Sequence, residues 1–364
     1  MVSLNDRYTL APQMRVYDAL GVRWVPFLMY FHPPDFHTKV LNTDRRGFRL
    51  TCLPSGEPLT WDMAAQDSCN LMVGASTVFG VGARHDCTTI PSRLTHRSGL
   101  PWLNFGGRAY NSTQEFLLFS MYRHHFKRIR RVLIFSGLGD LSLFFISPRY
   151  SPDFGPFFGM SQFLEAMNRL PLAKRVAREW RGLLAKFLHG KFIDNKSPRS
   201  LLKLFTGTPK TSGVNQTNAD AYTPLTPDQA QGKDLLLQPL TRNLANWKLF
   251  ADCLGARVDY VLQPFATWID RSPSPEEIQL FAILDKAQGG HWPLLAKQLT
   301  REWYKWFAAR LRDICAEVGI SFFDLNEAFS RHCKRDEWLF VDRAHLTDIG
   351  SDISSEILLS EVLQ

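Results

Sequence analysis

The chain has 364 residues, of which 45% are hydrophobic, so it can bury a full core, and one large α/β domain with an insertion is favoured over two independent domains. It contains no run of about 18 apolar residues that could span a bilayer, and its first residues lack the basic start and apolar core of a signal peptide. Its six cysteines include no Cys-x-x-Cys pair, which disfavours a structural zinc site. We therefore expect a cytoplasmic protein with reduced thiols and with no metal or cofactor.

Residues 1–66 hold mixed short segments, and we expect them to form a lead-in segment packed on a core domain of residues 67–364. The core begins with a predicted strand over 70–73, which ends in the small-residue turn Gly74-Ala75-Ser76. A serine in such a turn can attack a substrate if a nearby base removes the proton of its hydroxyl. Taken alone, the pattern is more often a simple strand-to-helix turn.

A second turn of interest is the segment 104–112, which reads Asn-Phe-Gly-Gly-Arg-Ala-Tyr-Asn-Ser. It follows a short predicted strand and precedes a helix predicted over 112–122. Ser112 and Glu115 have the spacing of a capping box, so the helix is expected to begin at this serine.

Residues 141 to about 240 interrupt the alternation of strands and helices and predict an insertion. A basic amphipathic helix is predicted over 172–188, and the chain from 206 to 233 has the composition of a flexible loop. Between 174 and 203, nine Lys or Arg stand against two acidic residues, which accounts for most of the formal net charge of +8. This stretch predicts either an anionic partner (a membrane surface, or a phosphorylated or carrier-bound substrate, with nucleic acid not favoured) or a solvated helix face.

The remaining pattern predicts a doubly wound parallel sheet. The run 132–135 is too apolar to alternate, which is typical of a buried parallel strand, and the turn Ser-Gly-Leu-Gly-Asp follows it at 136–140. Helices and strands then alternate again, with predicted bounds 240–254, 257–263, 292–318 and 320–325. Ligand sites in such sheets lie at the carboxyl ends of the strands, where we expect Ser76, Gly137 and a late loop carrying His345 to meet.

That late loop, Asp342-Arg343-Ala344-His345, supplies the groups that a serine nucleophile needs. A histidine can act as the base only if a carboxylate holds its ring in the correct tautomer. We therefore predict that Ser76 attacks an acyl carbon, that His345 accepts its proton and returns it to the leaving group, and that Asp342 orients the imidazole. Each residue also has an ordinary alternative as a helix cap or a surface side chain, and only the set points to catalysis.

Four separated segments resemble, in the expected order, the motif blocks of the SGNH hydrolases, also called the GDSL family: 74–76, 104–112, 136–140 and 342–350. The resemblance implies a three-layer α/β/α sandwich with a flavodoxin-like parallel sheet. It also places the oxyanion donors at the backbone N–H groups of Ser76 and Ala109, with Gly107 as a rival to Ala109. This chain departs from the family at Ala75, where an aspartate is usual, and at Gly139, where the family has the third oxyanion donor, an asparagine.

Because Gly139 has no side-chain donor, we predict that Arg108 or Asn111 makes a substitute contact to the substrate. The favoured function is a serine esterase or acyl hydrolase that acts on a small, carrier-linked or carbohydrate ester. Two alternatives stay open. The same nucleophile could serve an acyltransferase whose site is covered by the insertion, and Gly139 is the best evidence for a catalytically inactive binding protein.

Overall fold

A computed structural model of the chain describes residues 4–66, 68–147, 149–163, 165, 177, 180–181, 223–224, 229–287, 290–334 and 336–364. The contacts divide the chain into two compact units. The larger unit comprises Met1–Ile146, Pro152–Phe158 and Thr226–Gln364, and the smaller comprises Ser147–Ser151 and Gly159–Leu225. The basic helix predicted over 172–188 and the basic stretch 174–203 lie outside the described residues except for positions 177, 180 and 181.

The lead-in residues form short elements. In chain order these are α1 (Leu4–Leu10), α2 (Met14–Ala19), β1 (Arg23–Val25), β2 (Met29–Phe31), β3 (Thr51–Cys52), β4 (Pro58–Leu59) and α3 (Trp61–Gln66). β1 pairs with β2, and β3 pairs with β4, each in antiparallel register. The apolar side of α2, with Met14 and Tyr17, is buried in one cluster with Phe79 and Val341 of the core. The lead-in residues therefore pack directly against the part of the core that carries the site.

The core of the larger unit alternates strands and helices. Its first half contains β5 (Ser68–Gly74), α4 (Ser76–Phe79), α5 (Ile90–Ser98), β6 (Trp102–Gly106), α6 (Ser112–Tyr122), β7 (Arg128–Ser136) and α7 (Leu138–Ile146). In the smaller unit β8 (Arg149–Tyr150) pairs antiparallel with β9 (Thr223–Pro224). The second half of the core contains α8 (Gln229–Leu254), β10 (Arg257–Leu262), α9 (Pro275–Lys286), α10 (Trp292–Gln298), α11 (Arg301–Val318), β11 (Ser321–Asp324), α12 (Leu325–His332) and α13 (Asp348–Ile357).

The central sheet has five strands in the order β11-β10-β7-β5-β6, and every neighbouring pair is parallel. Numbered along the chain, this is the order 2-1-3-4-5 of flavodoxin-like sheets. Side chains of β5 alternate between the two faces, so that Leu71 and Val73 pack with α6, α8 and α11 while Met72 packs with α5, α12 and α13. The predicted three-layer α/β/α sandwich is confirmed.

Three local predictions need correction. The capping box of α6 lies one residue earlier than expected, because the Asn111 side chain accepts from the Gln114 backbone N–H. The helix predicted over 292–318 is two helices, since Thr300 caps a new one by accepting from the Trp303 N–H. The helix predicted to begin at 240 begins at Gln229 and includes the end of the stretch that composition marks as a loop.

The expectation of reduced thiols is wrong for two cysteines, because Cys52 and Cys87 form a disulfide across 35 residues of sequence. The other four keep free thiols, of which Cys69 and Cys315 are buried. Disulfides are rare in a reducing cytosol, so this disulfide argues against the predicted cytoplasmic location. The location itself stays a prediction. Within the described part of the chain, no helix is both long and apolar enough to cross a membrane.

Removing this disulfide should lower the free energy of unfolding by about 2–4 kcal/mol, because the bond restricts the unfolded chain between β3 and the turn before α5. Guanidinium unfolding of a Cys52→Ala/Cys87→Ala double variant, compared with the oxidised parent, measures the loss. Cys253→Ala is the matched control, since Cys253 is an exposed free thiol and its replacement should leave the midpoint unchanged. Equal midpoints for the double variant and the parent would contradict the expectation.

Candidate active site

Ser76 begins α4 just after β5, at the carboxyl end of this strand, which lies between β7 and β6 in the sheet. The strand order reverses between β5 and β7, and such a reversal leaves a crevice in which ligands of parallel sheets bind. Gly74 allows the close approach of these two strand ends, because a Cβ at this position would lie 2.2 Å from the Phe135 carbonyl oxygen. The serine thus sits where the topology of the sheet places a ligand.

The structure brings Ser76, His345 and Asp342 into direct contact. The Ser76 hydroxyl lies 2.7 Å from His345 Nε2. His345 Nδ1 lies 2.8 Å from each oxygen of the Asp342 carboxylate. These partners assign Nδ1 as the protonated ring nitrogen and leave Nε2 free to accept from the hydroxyl. Asp342 is buried, whereas the histidine side chain keeps 16% of its surface exposed.

The loop that carries the histidine is rigidly tied. Asp342 Oδ1 accepts from the backbone N–H groups of Ala344 at 3.0 Å and His345 at 2.9 Å, which closes a tight turn. Arg343 forms a two-pronged ion pair with Asp285 of α9, both contacts at 2.7 Å. These contacts hold the imidazole in place before any substrate arrives.

Two polar residues that the sequence did not single out connect the serine turn to this loop. The Thr77 hydroxyl donates to the Ala344 carbonyl oxygen at 3.2 Å and accepts from the Gln263 side-chain amide at 3.1 Å. All of these groups are buried, where a hydrogen bond is hard to replace by water. A Thr after a Ser is too common a pair for this role to be recognised in advance.

The charge of Asp342 is stabilised from two sides. Burial on its own would raise the pKa of this carboxyl, yet the His345 ring and the Arg7 guanidinium outweigh burial and bring the pKa below its ordinary value. The contact with Arg7 spans 335 residues of sequence, at 3.2 Å between the guanidinium and Asp342 Oδ2. The carboxylate therefore stays ionised while it orients the histidine.

The loop after β6 contains the two rival oxyanion donors, Gly107 and Ala109, and their backbone N–H groups differ in whether they are already paired. Gly107 already donates its N–H to the Gly74 carbonyl oxygen at 2.9 Å, and Arg108 donates its N–H to His32 Nε2 at 3.2 Å. Among the described residues, the N–H groups of Ala109 and Ser76 have no hydrogen-bond acceptor. Gly107 is therefore withdrawn as an oxyanion donor, and Ala109 is retained.

His32 of the lead-in segment shapes this loop, although no motif in the sequence marks it. Burial lowers the pKa of His32 well below its usual value, so the ring is neutral, donates from Nδ1 to the Gly47 carbonyl oxygen and accepts at Nε2. The ring stacks on Phe79 of α4 at 3.8 Å between centroids. Tyr30 completes the support by donating to the Ala109 carbonyl oxygen at 2.9 Å.

The position of the missing asparagine is sterically closed. A Cβ on Gly139 would lie 2.3 Å from the Tyr110 carbonyl oxygen, and the nearest atom of the serine turn, the Ala75 Cβ, would be 3.8 Å away. Any side chain at 139 therefore requires the Tyr110 backbone to move. Gly139 can still donate its backbone N–H to a substrate, because this group lies in the first turn of α7 and has no partner inside the helix.

Arg108 and Asn111 are engaged by the protein itself. The Arg108 guanidinium donates to the carbonyl oxygens of Tyr17, Leu20 and Gly21 at the end of α2. The Asn111 side chain caps α6 and donates to the carbonyl oxygens at 154 and 156. The Asn111 amide has no N–H to spare in this arrangement, so its predicted substrate contact is withdrawn. Arg108 Nε is buried and has no hydrogen-bond partner among the described residues, so the substrate contact of Arg108 stays a prediction. A surface loop and a buried cap look alike in a single sequence.

One group of possible metal ligands occurs in the described part of the chain. The ligand atoms of Cys52, His85 and Cys87 lie within 4.8 Å of one another. The two sulfur atoms are joined as a disulfide, and His85 Nδ1 accepts from the Cys87 N–H. Since disulfide sulfurs are not thiolate ligands, we assign no metal to this group.

Ala109 has a left-handed backbone conformation, with φ of +54°, which disfavours residues that have a Cβ. Ala109→Gly should keep the free energy of unfolding within about 1 kcal/mol, because relief of strain offsets the greater freedom of the unfolded chain. Ala109→Val should destabilise by roughly 1–3 kcal/mol, since a β-branched side chain fits this region poorly. Urea unfolding of both variants measures the difference, and equal stability would show that the loop is not held in this conformation.

Comparison with known proteins finds no protein-family profile and no curated protein that matches this sequence. Among solved structures, an acetyl xylan esterase is 10% identical, with 81% of this chain and 100% of that chain covered and a TM-score of 0.38. A member of the lipolytic protein G-D-S-L family from Veillonella parvula is 9% identical (82% and 100% covered, TM-score 0.39). An α/β hydrolase enzyme from the metagenome of Lake Arreo is 11% identical (83% and 97% covered, TM-score 0.38). Since these similarities are low, the activity has to be inferred from the side chains of the site.

Proposed function

We propose that this protein is a serine hydrolase that cleaves ester bonds through an acyl-enzyme on Ser76. The observation that carries the proposal is the continuous hydrogen-bonded chain from the Ser76 hydroxyl through His345 to Asp342, with contacts of 2.7 and 2.8 Å. An ordinary surface histidine is not expected to contact a buried carboxylate with one ring nitrogen and a serine at a strand end with the other. That combination is the arrangement of a catalytic triad.

In the proposed reaction Ser76 Oγ attacks the carbonyl carbon of the ester while His345 Nε2 takes the hydroxyl proton. The tetrahedral intermediate collapses, the proton passes to the leaving alcohol, and the acyl group remains on Ser76. Water then attacks the acyl-enzyme with His345 again as the base, which releases the acid and restores the serine. Asp342 stays ionised throughout and stabilises the imidazolium.

The developing oxyanion would be held by the backbone N–H groups of Ser76 and Ala109, with the Gly139 N–H as a third candidate. A side-chain donor in such a hole contributes about 2.7–4 kcal/mol, equivalent to about a hundred- to a thousandfold in kcat. We therefore expect slower turnover of simple esters than in a related enzyme that has all three donors.

The substrate class is proposed only as a small, carrier-linked or carbohydrate ester. The Trp292 ring stands edge-on to the His345 ring at 6.4 Å between centroids, so one side of the site offers an aromatic wall to an acyl or leaving group. An anionic partner for the basic stretch 174–203 stays a separate proposal.

Acyl transfer is the second candidate function, because it would use the same acyl-enzyme. Adding an alcohol acceptor to the assay measures which fraction of the acyl-enzyme is hydrolysed by water and which fraction is transferred to the alcohol.

Incubation with a fluorophosphonate followed by intact-mass measurement tests the proposal, because this probe forms a covalent bond only with an activated serine. We expect one adduct per chain, located at Ser76 by peptide mapping, together with hydrolysis of p-nitrophenyl acetate. Ser55→Ala, at an exposed serine between β3 and β4, is the matched control and should label like the parent. Absence of an adduct on the parent protein would leave the inactive binding protein as the better account.

A further inference from the structure

The first helix brings a buried arginine against the outer side of the Asp342 carboxylate. Arg7 of α1 keeps only 7% of its side-chain surface exposed. One terminal nitrogen lies 3.2 Å from Asp342 Oδ2, and the other lies 3.0 Å from Asp18 Oδ2 in α2. The guanidinium therefore bridges the carboxylate of the site to a carboxylate of the lead-in segment.

This arrangement is poorly explained by stability alone. Buried ion pairs contribute little to folding, because the cost of removing charges from water roughly cancels their attraction. Arg7 Nε is also buried and has no hydrogen-bond partner among the described residues, which adds to that cost. What the arrangement does provide is a fixed positive charge and a directed donor at one oxygen of Asp342.

We infer that Arg7 is a positioning residue for the proposed serine chemistry, on which this inference rests. By donating to Oδ2, Arg7 limits rotation of the carboxylate, so that both oxygens stay within reach of His345 Nδ1. Its positive charge also opposes a second positive charge on the nearby imidazole. The lead-in segment is then part of the working site and not only a support for the fold.

Within the described part of the chain, Arg7 of α1 and Ser76 of α4 contact the Asp342–His345 pair directly. One step further out lie two ion-pair partners: Asp18, which holds the other side of Arg7, and Arg343 of the same loop with Asp285 of α9. Arg343 is neutralised by its two-pronged pair with Asp285. Asp18 is partly exposed and offsets only part of the Arg7 charge, so loss of Arg7 should favour the protonated ring.

The test follows the His345 ring directly, by NMR titration of its carbon-bound protons in the full-length protein. In Arg7→Met the titration midpoint should rise by about one pH unit, as expected for removing one charge several ångströms away at an intermediate dielectric. Arg7→Lys keeps the charge and should return the midpoint to within a few tenths of the parent value. Arg15→Met is the matched control, since Arg15 is an exposed arginine on α2 that stacks on Tyr8, and it should leave the midpoint unchanged.

The same variants are then compared in p-nitrophenyl acetate hydrolysis. In Arg7→Met the acidic limb of kcat/KM should move upward with the NMR midpoint, and kcat at the alkaline plateau should fall about tenfold with KM nearly unchanged, because the carboxylate is less well held. A destabilised fold would instead lower the amplitude of the folded NMR signals and the yield of fluorophosphonate adduct without moving the midpoint.

An unchanged midpoint and an unchanged pH profile in Arg7→Met, with normal labelling at Ser76, would overturn the role of Arg7 while leaving the proposed hydrolase intact. A shifted midpoint with no labelling of the parent protein would instead mean that the hydrolase proposal has failed, and the positioning role with it. Loss of the folded spectrum in both Arg7 variants would also overturn the inference, since Arg7 would then be needed for the fold.

Discussion

Ser76→Ala is expected to abolish both ester turnover and covalent labelling by a fluorophosphonate, while the melting temperature stays close to that of the parent. The substitution removes the Ser76 hydroxyl oxygen, which is the atom that would carry the acyl group. Only substrate binding and the oxyanion donors would then contribute to catalysis. Stability should change little, because Ser76 is only partly buried and its replacement leaves neither a cavity nor a buried unpaired group of consequence.

The measurement is initial-rate hydrolysis of p-nitrophenyl acetate, with intact mass after exposure to the probe. Ser55→Ala serves as the control for any effect of removing a serine. Turnover by Ser76→Ala at more than about a hundredth of the parent rate would remove the central claim, and labelling elsewhere in the parent chain would point to a different nucleophile.

Asp342→Asn is expected to lower kcat by about four orders of magnitude, as the same replacement does in serine-protease triads. The structure supplies a specific reason for a loss of this size. Oδ2 accepts from Arg7, Oδ1 accepts from the Ala344 and His345 N–H groups, and both oxygens lie 2.8 Å from His345 Nδ1. Whichever of the two positions the NH₂ group of the new amide takes, it therefore brings a donor against Nδ1. The ring would then have to carry its proton on Nε2, where it can no longer accept from Ser76.

The expected signature is a lowered kcat with KM nearly unchanged and with normal far-UV circular dichroism. Asp270→Asn is the control, because Asp270 is an exposed carboxylate paired with Arg301. A loss of less than about tenfold would mean that a Ser76–His345 pair suffices.

The lead-in segment contributes more to the site than its composition suggests. Arg7 contacts the carboxylate, while His32 and Tyr30 hold the loop that presents the Ala109 N–H. None of the three stands in a recognisable motif, since an isolated Arg, Tyr or His is uninformative without its partner. Their roles arise from contacts between residues that are about 75 to 335 positions apart in sequence.

What the sequence determined by itself was the class of fold and the chain order of the reacting groups. The mostly apolar runs at 70–73 and 132–135 are typical of buried parallel strands, and the ends of these strands place Ser76 and the 136–140 turn at one edge of the sheet. Asp342 and His345 are three residues apart on one short turn, so their pairing is local and could be predicted from the sequence.

The tertiary structure decided which N–H and side-chain groups are available for chemistry. Gly107 and Asn111 stand in the right segment, yet each donates its relevant groups within the protein, and the terminal nitrogens of Arg108 are bound to the end of α2. The pairing of Cys52 with Cys87 was equally invisible, because it depends on two turns that meet only in the folded chain. Whether a polar group already has a hydrogen-bond partner, and which distant residue it contacts, depends on how the chain packs. Neither property follows from a fixed spacing of residues in a single sequence.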